Sequence, residues 1–141
     1  SIGIEIQNPG HSHKYLEFSK KQIKSAIYLT KFLKKKYNIK SKNFLGHSDI
    51  SPERKKDPGE KFPWKELAKL KLAQWHKFDE KKLKQHRLKK INSSDENKFF
   101  INLHKIGYTR VQLKSSAIKK RLIVKAFQRR FRQSLVNVIC D

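Results

Sequence analysis

Cysteine is nearly missing from this chain of 141 residues: Cys140 stands alone. A single thiol forms no intrachain disulfide, and it has no second cysteine at metal-ligand spacing. Apolar residues are scarce at 36%, so any core is thin, although 11% aromatics with nine Phe supply large side chains for it. No apolar run reaches the ~18 residues that would suggest a membrane span. Acidic residues are few, 12 against 35 Lys and Arg, which leaves a formal charge of +23. That excess favours association with polyanions, nucleic acid or anionic wall polymer. It is equally the outcome of a lysine bias on solvated faces, because the lysines are spread along the whole chain. The chain opens on Ser1 rather than Met and shows no targeting segment. Both ends read as cuts through a longer protein, Cys140-Asp141 carrying no capping pattern.

What is present falls into segments. Ile2-Gly3-Ile4-Glu5-Ile6 alternates with period two, which predicts a strand with Gly3 and Glu5 on the face opposite the isoleucines. Asn8-Pro9-Gly10 ends it with turn chemistry. Ser19 with Gln22 matches a capping box, and Ile23, Ala26, Ile27, Thr30, Leu33 and Tyr37 recur at helical spacing. An amphipathic helix of about five turns is expected there, ended by Asn38. Phe44-Leu45-Gly46 predicts a second short strand or an extended segment. Three of the four prolines, Pro52, Pro58 and Pro63, fall between His47 and Trp64, so that stretch reads as a loop. A short helix over 64–73 follows, then a Lys-rich linker, helical in part, containing Asn92-Ser93-Ser94-Asp95. Phe99, Phe100, Leu103 and Ile106 predict a helix ended by Gly107. Ile118 through Phe131 predict a longer one.

The chemistry concentrates in Gly46-His47-Ser48-Asp49-Ile50-Ser51-Pro52-Glu53-Arg54-Lys55-Lys56-Asp57-Pro58-Gly59. Imidazole nitrogen and carboxylate oxygen are both zinc ligands, and His47 and Asp57 lie on one proline-stiffened loop. By themselves, a histidine before a loop and an aspartate before a proline are more often a capping or surface residue and a turn residue. His11 and His13 follow the first strand in a polar loop, where plain surface, substrate contact and metal ligation are all open.

Taken together, the two segments resemble the zinc-dependent N-acetylmuramoyl-L-alanine amidases of the phage-lysozyme and peptidoglycan-recognition superfamily. Ser1-Ile2-Gly3-Ile4-Glu5 is similar to that family's central strand with its catalytic glutamate. Gly46-His47-Ser48-Asp49-Ile50 and Arg54-Lys55-Lys56-Asp57-Pro58-Gly59 are similar to its second and third zinc-ligand motifs. Residues 98–132, with Gly107-Tyr108 and Ala126-Phe127-Gln128-Arg129-Arg130-Phe131-Arg132, resemble the helical peptidoglycan-binding module that follows this domain in periplasmic members. The resemblance implies Zn2+ held by His47 and Asp57, Glu5 as general base and Lys55 as oxyanion stabiliser. It also implies a first zinc histidine on a strand upstream of Ser1, so the chain reads as N-terminally truncated.

The expected fold is α/β, a mixed sheet flanked by helices, followed by a small all-α bundle. Residues 1–75 are expected to be the C-terminal part of a zinc amidase domain, 76–96 a linker, and 97–141 an incomplete peptidoglycan-binding module. The expected activity is hydrolysis of the amide between N-acetylmuramic acid and L-alanine of the stem peptide, in the bacterial periplasm or cell envelope. Peptidoglycan or muropeptides are the expected partners; the oligomeric state is not legible. Two other readings compete with this one. A catalytically inactive remnant would keep only wall binding. Nucleic-acid binding would rest on charge, but Phe99, Phe100, Phe127 and Phe131 fall at helix-core spacing rather than as a stacking platform, so no specific nucleic-acid partner is expected.

Overall fold

The computed structural model describes residues 1–87, 92–112 and 114–137. Cys140 and the C-terminal tail therefore lie outside the described residues, as do four residues of the expected linker. Among the described residues six α-helices follow in chain order: α1 (Lys20–Tyr37), α2 (His47–Ile50), α3 (Trp64–Lys69), α4 (Glu80–His86), α5 (Ser93–Lys105) and α6 (Ala117–Phe131), with a 3-10 turn at Ser41–Asn43.

Helix α1 begins and ends where local chemistry dictates. Ser19 Oγ accepts from the Gln22 amide at 3.2 Å, and Gln22 Oε1 accepts from the Ser19 amide at 2.9 Å. Two of the amides orphaned at a helix start are thereby satisfied. At the other end Asn38 takes the left-handed conformation at φ 50°, and its amide bonds back to Lys34 O. Helix α6 starts on Ser116, whose Oγ accepts from the Lys119 amide. Helix α5 starts on Asn92, whose Oδ1 accepts from the Asp95 amide at 2.9 Å. The polar cluster read as linker is thus a helix cap: an Asn-Ser-Ser-Asp run suits a helix start as well as a loop.

The expected mixed sheet is not formed, and among the described residues there is no strand. A strand exists only through a ladder to a neighbour, and the second candidate segment commits backbone groups elsewhere. Phe44 O accepts from Arg130 Nη2, and Asp49 Oδ2 takes the Gly46 amide; just after the first candidate segment, Gln7 O accepts from the Gln22 side chain. Ile6 nevertheless packs inward, as its alternation predicts.

Among the described residues two apolar clusters form. The first holds Phe62, Trp64, Leu67, Leu72 and Ala73, with Ile6, Phe18, Ile23 and Ile27 against it. The second holds Phe100, Leu103, Tyr108, Ile123, Val124 and Ala126, with Phe99 and Phe127 against it. Helix α6 touches the first unit through α2. Ile123 lies at the centre of the second cluster and is fully buried. Ile123→Ala is expected to cost about 2–5 kcal/mol, measured by urea unfolding, because it removes apolar surface and leaves a cavity.

Candidate metal centre

The loop between Gly46 and Trp64 folds back on itself through its own backbone. The Ser48 amide donates to Asp57 O at 2.9 Å, which sets the two ends of the segment side by side. Between them, the Arg54 and Lys55 amides both donate to Ser51 O, closing a tight turn after Pro52. Pro58 follows a cis peptide bond, and Gly59 turns the chain at φ +82°. Gly46 is required by proximity: a Cβ there would stand 2.5 Å from Pro58 Cδ and 3.2 Å from the Trp64 ring. The outcome is that His47 Nδ1 and Asp57 Oδ2 lie 2.5 Å apart, with both side chains about half exposed.

Behind His47, on the same turn of helix, Asp49 is buried. Its Oδ2 accepts from the Gly46 amide at 2.9 Å and from Arg130 Nη1, and its Oδ1 accepts from the Tyr108 hydroxyl at 2.6 Å. Arg130 also donates from Nη2 to Phe44 O at 3.1 Å, and its guanidinium lies 4.1 Å over the Trp64 ring. Burial pushes the Tyr108 phenol well above its ordinary value, and the Asp49 charge adds to this, so it stays a donor.

A second polar cluster flanks the loop beyond Gly59. His11 Nε2 meets Glu60 Oε2 at 3.0 Å, and the His11 ring lies 4.3 Å from that of Tyr15. The Tyr15 hydroxyl donates to Pro58 O at 2.6 Å and accepts from the Lys61 amide at 3.1 Å. Burial raises Tyr15 to about 12, with the Glu60 and Glu17 charges adding and the Lys61 amide opposing. Burial pushes the Glu60 carboxyl up, but the His11 hydrogen bond and the charges of His11 and Arg129 outweigh it and hold the group below its ordinary value. Burial lowers Arg129, and Glu60 partly offsets that.

The structure therefore brings His47 and Asp57 together. Lys55, two residues before Asp57, is exposed on the turn. Glu5 is exposed on the extended N-terminal segment. His13 is exposed, whereas His11 is engaged with Glu60. The donor set of His47 and Asp57 fits zinc by type and accessibility, whereas a catalytic zinc site usually takes three protein ligands. Among the described residues no group of three His, Cys, Asp or Glu stands close enough to hold a metal. Sequence reasoning overlooked Asp49, Tyr108 and Arg130. One signal was available: Arg130 sits seven residues after Ile123 and four after Ala126, on the apolar face of α6, where a charge needs a buried partner.

Comparison with known proteins gives the loop its context. Residues 1–60 match the family described as N-acetylmuramoyl-L-alanine amidase. The N-acetylmuramoyl-L-alanine amidase AmiD of Escherichia coli K12 is 32% identical over 146 aligned positions, covering 100% of this chain and 52% of AmiD. The 1,6-anhydro-N-acetylmuramyl-L-alanine amidase AmpD of Enterobacter cloacae is 38% identical over 64 residues, 45% of this chain and 32% of AmpD. The chain thus spans about half the length of AmiD and a third of AmpD. Among solved structures, AmiD from E. coli in complex with anhydro-N-acetylmuramic acid-L-Ala-D-gamma-Glu-L-Lys superposes with a TM-score of 0.75. The identity is 30%, over 90% of this chain and 49% of that one. AMPDH3 from Pseudomonas aeruginosa in complex with anhydromuramic pentapeptide gives 0.74 at 25% identity, over 91% and 50%.

Two outcomes follow for the loop. Gly46→Ala is expected to destabilise the protein by about 1–3 kcal/mol in urea unfolding, because the new methyl group overpacks against Pro58 and Trp64. Glu60 has a depressed folded pKa, so its contribution to stability is present above its ordinary value of 4.5 and is lost as pH falls through the lower folded value. Glu60→Gln is expected to flatten that acid limb in melting curves recorded from neutral pH down to acid.

Proposed function

We propose that this chain carries the ligand loop and general base of a zinc-dependent N-acetylmuramoyl-L-alanine amidase. The reaction is hydrolysis of the amide between the lactyl group of N-acetylmuramic acid and L-alanine of the stem peptide. The observation that carries the reading is the His47–Asp57 contact, formed on a loop that lies within the residues matching the amidase family. The chain spans 52% of AmiD.

His47 and Asp57 would hold the metal through imidazole nitrogen and carboxylate oxygen. A zinc ion there would lower the pKa of a bound water toward neutrality and polarise the scissile carbonyl. Glu5 takes a proton from the attacking water on its carboxylate and returns it to the leaving L-alanine amine. Lys55 would supply its ammonium charge to the oxygen on which negative charge develops. The family match begins at residue 1 and includes both side chains, which supports these roles.

Residues 97–141 act in this reading as a wall-binding helical module, joined through the segment 76–96. Peptidoglycan or muropeptides are the substrates, by analogy with the ligands bound to AmiD and AMPDH3. The place of action is the bacterial periplasm or cell envelope. Among the described residues no helix is long and apolar enough to cross a membrane. The charge of +23 supports retention on an anionic polymer, and salt-dependent sticking to nucleic acid is expected as a by-product.

One observation favours a second reading, wall binding without turnover: His47 and Asp57 are joined by no third ligand-type side chain among the described residues. Release of stem peptide from sacculi, with and without chelator, separates the two. The amidase reading expects chelator-sensitive release, abolished in His47→Ala and Asp57→Ala. Glu5→Gln should lower it by about 10²–10⁴-fold, as removal of a general base does. Undiminished release in Glu5→Gln or under chelator overturns the amidase reading, and sedimentation with sacculi without release establishes the remnant.

A further inference from the structure

The buried cluster behind His47 is unused by the chemistry above, yet its carboxylate is densely bonded. Asp49 accepts three donors, from the Gly46 amide, the Tyr108 hydroxyl and Arg130 Nη1. Two of the three come from the C-terminal helical unit. Arg130 adds a second bond to Phe44 O and lies against Trp64, so one guanidinium holds the backbone before the loop, the carboxylate within it and the ring that ends it. Further contacts from α6 and its C-terminal extension run along the loop: Lys119 to Glu53 at 3.2 Å, Arg129 to Glu60 at 3.7 Å, and Gln133 Nε2 to Phe62 O at 2.6 Å.

We propose that Asp49, Arg130 and Tyr108 form a positioning device for the candidate metal centre, through which the C-terminal helical unit sets the placement of His47 against Asp57. In naming His47 and Asp57 as ligands, this rests on the amidase reading. The route is short. Asp49 lies two residues after His47 on one turn of helix, and the residue between them, Ser48, donates its amide to Asp57 O. A shift of Asp49 therefore moves both the His47 side chain and the bond that holds Asp57 beside it. Arginine suits the task because its planar fork reaches a carboxylate and a carbonyl at once while its face covers an indole. None of the three side chains touches a metal or substrate; they act through the loop, as outer-shell partners orient ligands elsewhere. The helical unit then positions the candidate metal centre from outside it, in addition to the wall binding proposed above.

Amide hydrogen exchange on the whole chain tests this without metal or substrate. Tyr108→Phe keeps the ring in its cluster and deletes one hydrogen bond to Asp49; Arg130→Lys keeps the charge and loses the fork. Both are expected to raise exchange at the Ser48 amide by about tenfold, the equivalent of one hydrogen bond to a charged group, while Ile123 and Val124 in the second core stay protected. Ser48 exchange unchanged in both variants overturns the proposal. So does an unprotected Ser48 amide in the parent chain, and so does an equal loss at Ser48, Ile123 and Val124, which would mark a merely stabilising contact. Zinc titration followed on the His47 imidazole resonances is scored separately. Failure of the parent chain to respond counts against the ligand assignment and leaves the exchange result standing.

Discussion

A buried ion pair joins the two halves of this protein. Moving a carboxylate and a guanidinium out of water costs several kcal/mol per ion, and the pair recovers that only if geometry and hydrogen bonding are complete. Around Asp49 and Arg130 they are nearly so: the carboxylate has three donors, and the guanidinium has two oxygens and an aromatic face. Incomplete satisfaction would make such a pair a liability, so its presence constrains everything near it. Phe44, Gly46, Trp64 and Tyr108 must all stand where they do, and the two apolar clusters are fixed relative to each other. With apolar residues at 36%, neither cluster is large, and the polar joint does what a single thicker core does elsewhere.

The consequence for the site is rigidity on one side and exposure on the other. Asp49 is inside and held; His47, two residues away, faces out with Asp57. A loop of this length would ordinarily sample many conformations. Here Gly46, the Ser48–Asp57 backbone bond, the turn on Ser51 and the Tyr15 hydroxyl on Pro58 remove that freedom. Two ligand-type side chains are thereby held together on a half-exposed surface, which is what metal binding from solvent requires. The Tyr15–His11–Glu60 cluster supports the same loop from its far end, so the histidine that follows the first segment serves the scaffold.

Much of the local structure was legible in the sequence. Ser19 with Gln22 and the terminal Asn38 delimited α1, and Ile118 through Phe131 marked α6, because caps and helical periodicity are properties of neighbouring residues. The loop motif pointed to His47 and Asp57, and these are the residues found together. The sheet was not legible. Alternation at Ile2–Ile6 records which side chains face inward, and Ile6 does, but a ladder is a property of two segments. Asn92-Ser93-Ser94-Asp95 was ambiguous for a different reason: cap chemistry and linker chemistry use the same residue types. Least legible was the Asp49–Arg130 pair, whose members lie 81 positions apart. Only the placement of a charge on the apolar face of α6 hinted at it.

A double-mutant cycle on Asp49 and Arg130 tests the central constraint most directly. Unfolding free energies would be measured for the parent, Asp49→Asn, Arg130→Met and the double variant. Each single change strands a buried charge or donor and is expected to cost about 3–5 kcal/mol. The double variant should cost less than the sum by about 2–3 kcal/mol, the signature of directly coupled residues. Costs that add to within about 0.5 kcal/mol would contradict the account, because the two residues would then be acting independently.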